Sequence, residues 1–285
     1  MPCVEPRPAD PSYPREAGLP LLERTGRRVR LTPAGLNLVR HAEAVLERLE
    51  QADADLAEAR SGPAGALRIG AFPTATRAIV PAALVALARR HPALEPMVSE
   101  TDPAAVAHAL RAGDLDVALV HEYDFVPAAQ EPGLAAEPLY EEAMYLAAPT
   151  DHAAAAGPAA DGDQGAVLRT HADAPWITAS PGTLCHAMTV RACQAAGFTP
   201  RIRHPVDEFA TVLALVAAGQ GVAVVPQLGI GEHTGPGVEL TRLLMQRRTN
   251  FAFRRGAGAH PAVAAFGVAL RAAVPPELAG SHARE

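Results

Sequence analysis

Apolar and polar positions follow two rhythms along this chain. In residues 32–62, Leu38, Ala42, Val45, Leu49, Ala52, Leu56 and Ala59 recur alternately four and three apart. That is the seam of a coiled coil rather than the wider stripe of a helix lying on a core. Thr32 and Pro33 supply an N-cap and an N1 proline, and Ser61-Gly62-Pro63 a stop, so the spacing predicts one long helix. It is expected to pair with a second copy through Leu38, Val45, Leu49 and Leu56. From residue 66 the rhythm changes to short apolar runs separated by helical patterns. Strands are predicted at 66–71, 94–100 and 115–120, with helices at 77–90 and 103–112, which is a βαβαβ order and hence a parallel sheet with right-handed crossovers. Further strands are expected at 134–140 and 143–149, and a surface loop at 151–165. The order then repeats: strand 176–178, the turn Ser180-Pro181-Gly182-Thr183, helix 184–196 and strand 201–206. In 207–227 Phe209, Val212, Leu213 and Val216 fall at helical spacing, and Gly219 sits where a helix ends in a left-handed residue. Val222-Ala223-Val224-Val225 is an unbroken apolar run closed by Pro226, as in a strand covered on both faces. Strands at 238–244 and 250–254 and a helix at 261–272 return to the first unit.

The fold class implied is α/β, with two similar lobes joined by crossovers and a ligand cleft between them. Residues 63–149 plus 238–275 make lobe I, residues 150–237 lobe II, and 32–62 the linker helix. Ahead of these, residues 1–14 carry prolines and no periodicity and are read as disordered. The apolar pairs at 19–22 and 29–31 frame an arginine-rich turn and read as a two-stranded wing, so that residues 1–31 form a disordered start and a remnant wing.

Composition narrows the function classes. A 285-residue chain that is 49% hydrophobic and 20% charged buries a large core over about two domains. No apolar run approaches the ~20 residues that span a bilayer, and prolines occupy the start where a secretory signal needs its apolar core. A cytoplasmic protein without membrane attachment is expected. The net charge of -6 gives no global attraction to nucleic acid, but Arg24, Arg27 and Arg28 cluster at the wing turn, where they can touch phosphates without reading sequence. The histidines are scattered, and no G-x-S-x-G, P-loop or C-x-x-C occurs. Neither an enzyme nor a metal or cofactor is expected. Cys185 and Cys193 lie eight apart on one predicted helix, about 12 Å, beyond the ~7 Å reach of a disulfide, and read as small helix residues.

Ligand chemistry is expected at the turns. In parallel sheets solutes gather beyond the carboxyl ends of the strands, where helix N-termini present free N–H groups. Thr74, Thr76, Ser180 and Thr183 lie at such ends, His121 ends the strand at 115–120, and Glu208 with Phe209 follows 201–206. A small carboxylate fits this setting. For Thr74 and Thr183 ordinary helix capping explains the residue type equally well.

The helix, Gly-x-Gly turn and VAVVP strand of 207–226, the downstream RRGAGAHPAVAAFGVAL, and the GLPLLER run ahead of the wing resemble the LysR-type transcriptional regulators. The resemblance implies a periplasmic-binding-protein-like effector domain whose turns at Thr74 and Thr183 hold a small-molecule effector. It also implies a linker helix that dimerises the chain, assembly as a homodimer or homotetramer, and promoter DNA as partner of a winged helix-turn-helix. A winged helix needs about 55 to 60 residues, including its recognition helix, and fewer precede Thr32. Sequence-specific DNA binding by this chain as it stands is therefore not expected. The alternative is a stand-alone ligand-binding and dimerising module.

Overall fold

The computed structural model of the chain describes residues 17–25, 28–59, 62–127, 131–150, 163–231 and 237–278. The expected wing is an antiparallel hairpin, β1 (Leu22–Thr25) against β2 (Arg28–Leu31), with Leu22 opposite Leu31. Thr32 joins it to the long helix α1 (Pro33–Glu58): its hydroxyl donates to the Pro20 carbonyl at 2.8 Å and accepts the Gly35 N–H at 3.1 Å. The expected N-cap thus also fixes the hairpin to α1.

The body opens with β3 (Gly65–Ala71), α2 (Pro73–Ala78), α3 (Val80–Arg90), β4 (Leu94–Glu100), α4 (Pro103–Ala112) and β5 (Val117–Tyr123). Where one helix is expected over 77–90 there are two, meeting at Ile79. Pro81 has no N–H to continue the ladder from the preceding turn, so the chain restarts as a second helix. The long strand β6 (Leu134–Pro149) follows, then α5 (Gln164–Arg169), β7 (Pro175–Thr178), α6 (Leu184–Ala195), β8 (Arg201–Pro205), α7 (Phe209–Ala217), β9 (Ala223–Pro226), α8 (Gln227–Ile230), a second long strand β10 (Val238–Arg254) and α9 (Pro261–Ala273). Gly219 stands just past α7 at φ 70°, as its place after the apolar run predicts. Most of the loop expected at 151–165, the disordered start expected at 1–14 and the stop at Ser61 lie outside the described residues. The end of that loop is helical instead, because the Asp163 carboxylate accepts the Ala166 N–H at 2.9 Å and caps α5.

Two pairs of expected strands prove to be one strand each. β6 and β10 run antiparallel to each other from Val238 opposite Pro149 to Arg254 opposite Leu134, with irregularities between Arg242 and Gln246 and between Thr249 and Asn250. The mid-strand charges Glu141-Glu142 and Arg247-Arg248 look like breaks in sequence; in the fold Glu142 and Arg247 neutralise each other in the interior. The main sheet has the order β4-β3-β5-β10-β6-β9, and a two-stranded parallel sheet, β7 and β8, joins it by a bridge from Trp176 to Val222.

Each lobe has its own core. Helices α2, α3 and α9 cover one face of β3, β5 and β10 through Ile79, Leu87, Phe266 and Leu270 against Ile69, Leu119 and Phe251, and α4 covers the other through Val106 and Leu110. In the second lobe Met188, Ala192 and Cys193 of α6 pack on Trp176 and Val222, while Val212, Leu213 and Val216 of α7 pack on Ile177 and Val225. Among the described residues no helix is long and apolar enough to cross a membrane.

Candidate ligand-binding site

The two lobes meet over a buried polar centre built on the long strands. Glu142 of β6 and Arg247 of β10 have side chains 0% and 2% exposed. The Arg247 guanidinium donates through Nε to Glu142 Oε1 at 2.8 Å and through Nη2 to the Thr74 hydroxyl at 2.9 Å, and lies 4.9 Å above the Phe72 ring. The other Glu142 oxygen accepts the Leu228 N–H at 2.7 Å, so one carboxylate ties the start of α8 to both long strands. Burial opposes the guanidinium charge, but the Glu142 carboxylate outweighs it and holds Arg247 firmly protonated.

Around this pair lie His121, Tyr123, Tyr140 and Cys185. The His121 ring stands edge-on to Phe72 at 4.6 Å and to Tyr123 at 5.2 Å. Its Nδ1 is buried without a hydrogen-bond partner among the described residues. Burial, and then the Arg247 charge, push the imidazole well below its ordinary value, so it is neutral. Burial raises both tyrosines, and raises Cys185 to about 11 and Cys193 to about 12. Both thiols are free and protonated near neutral pH.

The structure separates the residues singled out in the sequence. Thr74 is buried and engaged by Arg247, so it orients the polar centre rather than facing open solvent. The Thr76 hydroxyl donates back to the Phe72 carbonyl at 3.2 Å. Ser180 donates its hydroxyl to Asp207 at 2.9 Å and its N–H to the same carboxylate at 2.8 Å. Thr183 caps α6, accepting the His186 N–H at 3.2 Å. Glu208 caps α7 by accepting the Thr211 N–H at 2.8 Å, and it reaches Arg77 of α2 at 3.5 Å. Burial works against its charge, but the N–H groups of α7 draw its carboxyl below the ordinary range. Phe209 packs beneath Gly229. Arg24 is exposed on β1, Arg28 lies on β2, and Arg27 falls outside the described residues.

Arg77, which also donates to the Leu228 carbonyl at 3.2 Å, closes the lobes together on the α2 side. On the opposite face a cavity of about 680 Å³ remains, walled by Pro103, Ala104 and Ala107 of α4, by Ala136 and Asn250 of the long strands, and by Leu184 at the start of α6. His121 lines it too, and Glu122, Glu131 and Arg255 add charge to its wall. Of the expected effector residues, His121 alone is among those lining this cavity, while Leu184 is the neighbour of Thr183. Among the described residues no group of three or more His, Cys, Asp or Glu side chains is placed to hold a metal ion. Sequence reasoning missed Glu142, Arg247, Tyr123 and Arg77. The first two carry no local signal, because Glu141-Glu142 and Arg247-Arg248 are charge doublets that read as breaks between apolar runs.

Comparison with known proteins bears on this architecture. Residues 60–275 match the model of the LysR substrate binding domain. A probable hydrogen peroxide-inducible genes activator from Mycobacterium avium is 32% identical over 218 residues, covering 75% of this chain and 67% of that one. The HTH-type transcriptional regulator TfdS of Cupriavidus pinatubonensis is 34% identical over 217 residues, covering 73% and 68%. Among solved structures, the C206 mutant of OxyR from Corynebacterium glutamicum superposes with a TM-score of 0.62 at 28% identity, over 90% of this chain and 78% of that one. The two lobes on shared long strands, the linker helix ahead of them and a domain match over most of the chain lead to one conclusion: this protein belongs to the LysR family of transcriptional regulators.

Proposed function

We propose that this LysR-type regulator senses a small-molecule effector held in the cavity between α4 and α6, and that it dimerises through α1. The observation that carries this reading is the cavity itself, in the size range of small-molecule sites and mostly apolar with a few convergent polar groups. Its wall combines residues of lobe I (63–149 plus 238–275) with Leu184 of lobe II (150–237), and β6 and β10 serve the sheets of both. A ligand there touches both lobes and favours the arrangement it fits best. The effector has an apolar body against Val106, Ala107 and Leu184 and hydrogen-bonds to His121. A carboxylate on it is met by Arg255 and Asn250 at the open end. Thr74 and Glu208 act indirectly, Thr74 by orienting Arg247 and Glu208 by holding the α2 side shut through Arg77.

A second copy pairs along α1, where Leu38, Val45, Leu49 and Leu56 are 49%, 60%, 61% and 66% exposed. Promoter DNA is a partner, with Arg24, Arg27 and Arg28 contributing phosphate contacts. The relatives named for hydrogen peroxide raise a redox alternative, and these thiols argue against it: the nucleophile that attacks peroxide is the thiolate, and burial keeps Cys185 and Cys193 protonated.

The test is a thermal-shift screen of small metabolites, with Ala107→Trp as the control that fills the cavity from α4. A genuine effector raises the melting temperature of the unaltered chain and not that of Ala107→Trp. Equal stabilisation of both would place the site elsewhere.

A further inference from the structure

The α4 wall of the cavity reaches α1 by two routes. Arg254, the last residue of β10, makes an ion pair with Glu50 of α1 and donates to the Leu110 and Leu115 carbonyls, each at 3.0 Å. Leu110 closes the last turn of α4, the helix whose Pro103, Ala104, Val106 and Ala107 line the cavity. Asn250 and Ala252, on the same strand as Arg254, line it as well. The second route runs through the neighbouring residue. Arg111 of α4 holds Glu131 at 2.8 Å and the Pro132 carbonyl at 2.7 Å, and the adjoining Gly133 lies under the Glu43 side chain of α1.

The seat of α1 is a close one. Gly256, at φ 96°, lies so near that a side-chain carbon on it would come 2.5 Å from the Glu47 carbonyl, and Ala54 is 2% exposed against the body. The face of α1 that carries Glu43, Glu47, Glu50 and Ala54 is thus committed to lobe I, while the leucine seam points away.

We propose that Arg254 is a positioning residue through which occupation of the cavity changes how firmly α1 is held to lobe I; the proposal rests on the reading of the cavity as the effector site. Helix α4 is a rod of ten residues, about 15 Å long. A solute pressed against its first turns moves its far end, and with it the carbonyls that fix the Arg254 guanidinium. The two carbonyls and Glu50 share one planar fork of donors. A shift of one set redirects the N–H groups that serve the other, so the ion pair to α1 strengthens or weakens with occupancy. The coupling is reciprocal: an α1 held differently changes the affinity of the cavity by the same factor.

Hydrogen exchange of the α1 amides over residues 47–54 reads this directly, with a cavity-filling side chain standing in for the solute. Ala107→Trp, or Ala104→Phe should the first variant not fold, is compared with the unaltered chain at one protein concentration. The same filler is then placed on Glu50→Gln, which keeps the shape of the side chain and removes its charge. The filler alone is expected to change protection over 47–54 by about fivefold or more, and on Glu50→Gln to leave it within twofold of Glu50→Gln without the filler. Unchanged protection with either filler, or an equal change on both backgrounds, would overturn the proposal. Failure of the effector-site reading shows differently, as a metabolite whose stabilising effect survives Ala107→Trp whatever α1 does.

Discussion

The Glu142–Arg247 pair decides how the centre of the molecule responds to substitution. Breaking a buried ion pair from one side leaves a desolvated charge, so Glu142→Gln is expected to destabilise the chain by about 3 to 5 kcal/mol, measured by calorimetric melting. Thr74→Val removes a buried acceptor from the same guanidinium and should cost about 1 to 3 kcal/mol, with dimerisation unchanged by ultracentrifugation. Thr183→Ala removes only a helix cap, about 1 kcal/mol. His121 sets a pH dependence whose sign follows from its neutral state. Its folded pKa lies below the unfolded value of about 6.5, so between the two the unfolded chain binds more protons. The contribution of His121 is therefore complete above about pH 6.5 and is lost as pH falls below it. Melting temperature should decline on acidification through this window, and His121→Phe should flatten that decline. His121 was legible in the sequence as a polar end to a buried strand. Glu142 and Arg247 were not, because pairing across 105 positions has no local signature.

At the scale of elements, α1 was the most legible part of the chain, since a heptad seam and an N-cap are both written in neighbouring residues. Its exposed seam yields a direct expectation: Leu49→Glu with Leu56→Glu converts a dimer to a monomer in sedimentation equilibrium, while the melting of the two-lobed body stays within a few degrees. The long strands were the least legible. Charged residues in mid-strand look like turns until the opposite strand supplies the counter-charge, and a bulge leaves no fixed residue pattern. The split of 77–90 into two helices was visible in Pro81 alone. Helix α6 was anticipated whole, and it bears on redox chemistry as well as packing. With Cys185 and Cys193 on one intact helix, treatment with hydrogen peroxide should give no disulfide between these two by mass spectrometry of the unreduced protein.

As a whole the molecule is two lobes strung on two shared strands, clamped on the α2 side by Arg77 and open on the α4 side. The fold class and the order of elements could be read from apolar runs because each run is local. The proposed ligand cavity could not, since Thr74 is taken up by the distant Arg247 and Thr183 by the cap of α6, and the open space lies on the other face. The central claim is that a solute binds in that space, and calorimetric titration of a stabilising metabolite tests it most directly. One molecule should bind per chain, with a negative heat-capacity change from apolar burial, and affinity should be lost in Ala107→Trp and kept in Thr183→Ala. Full affinity in Ala107→Trp would contradict the account.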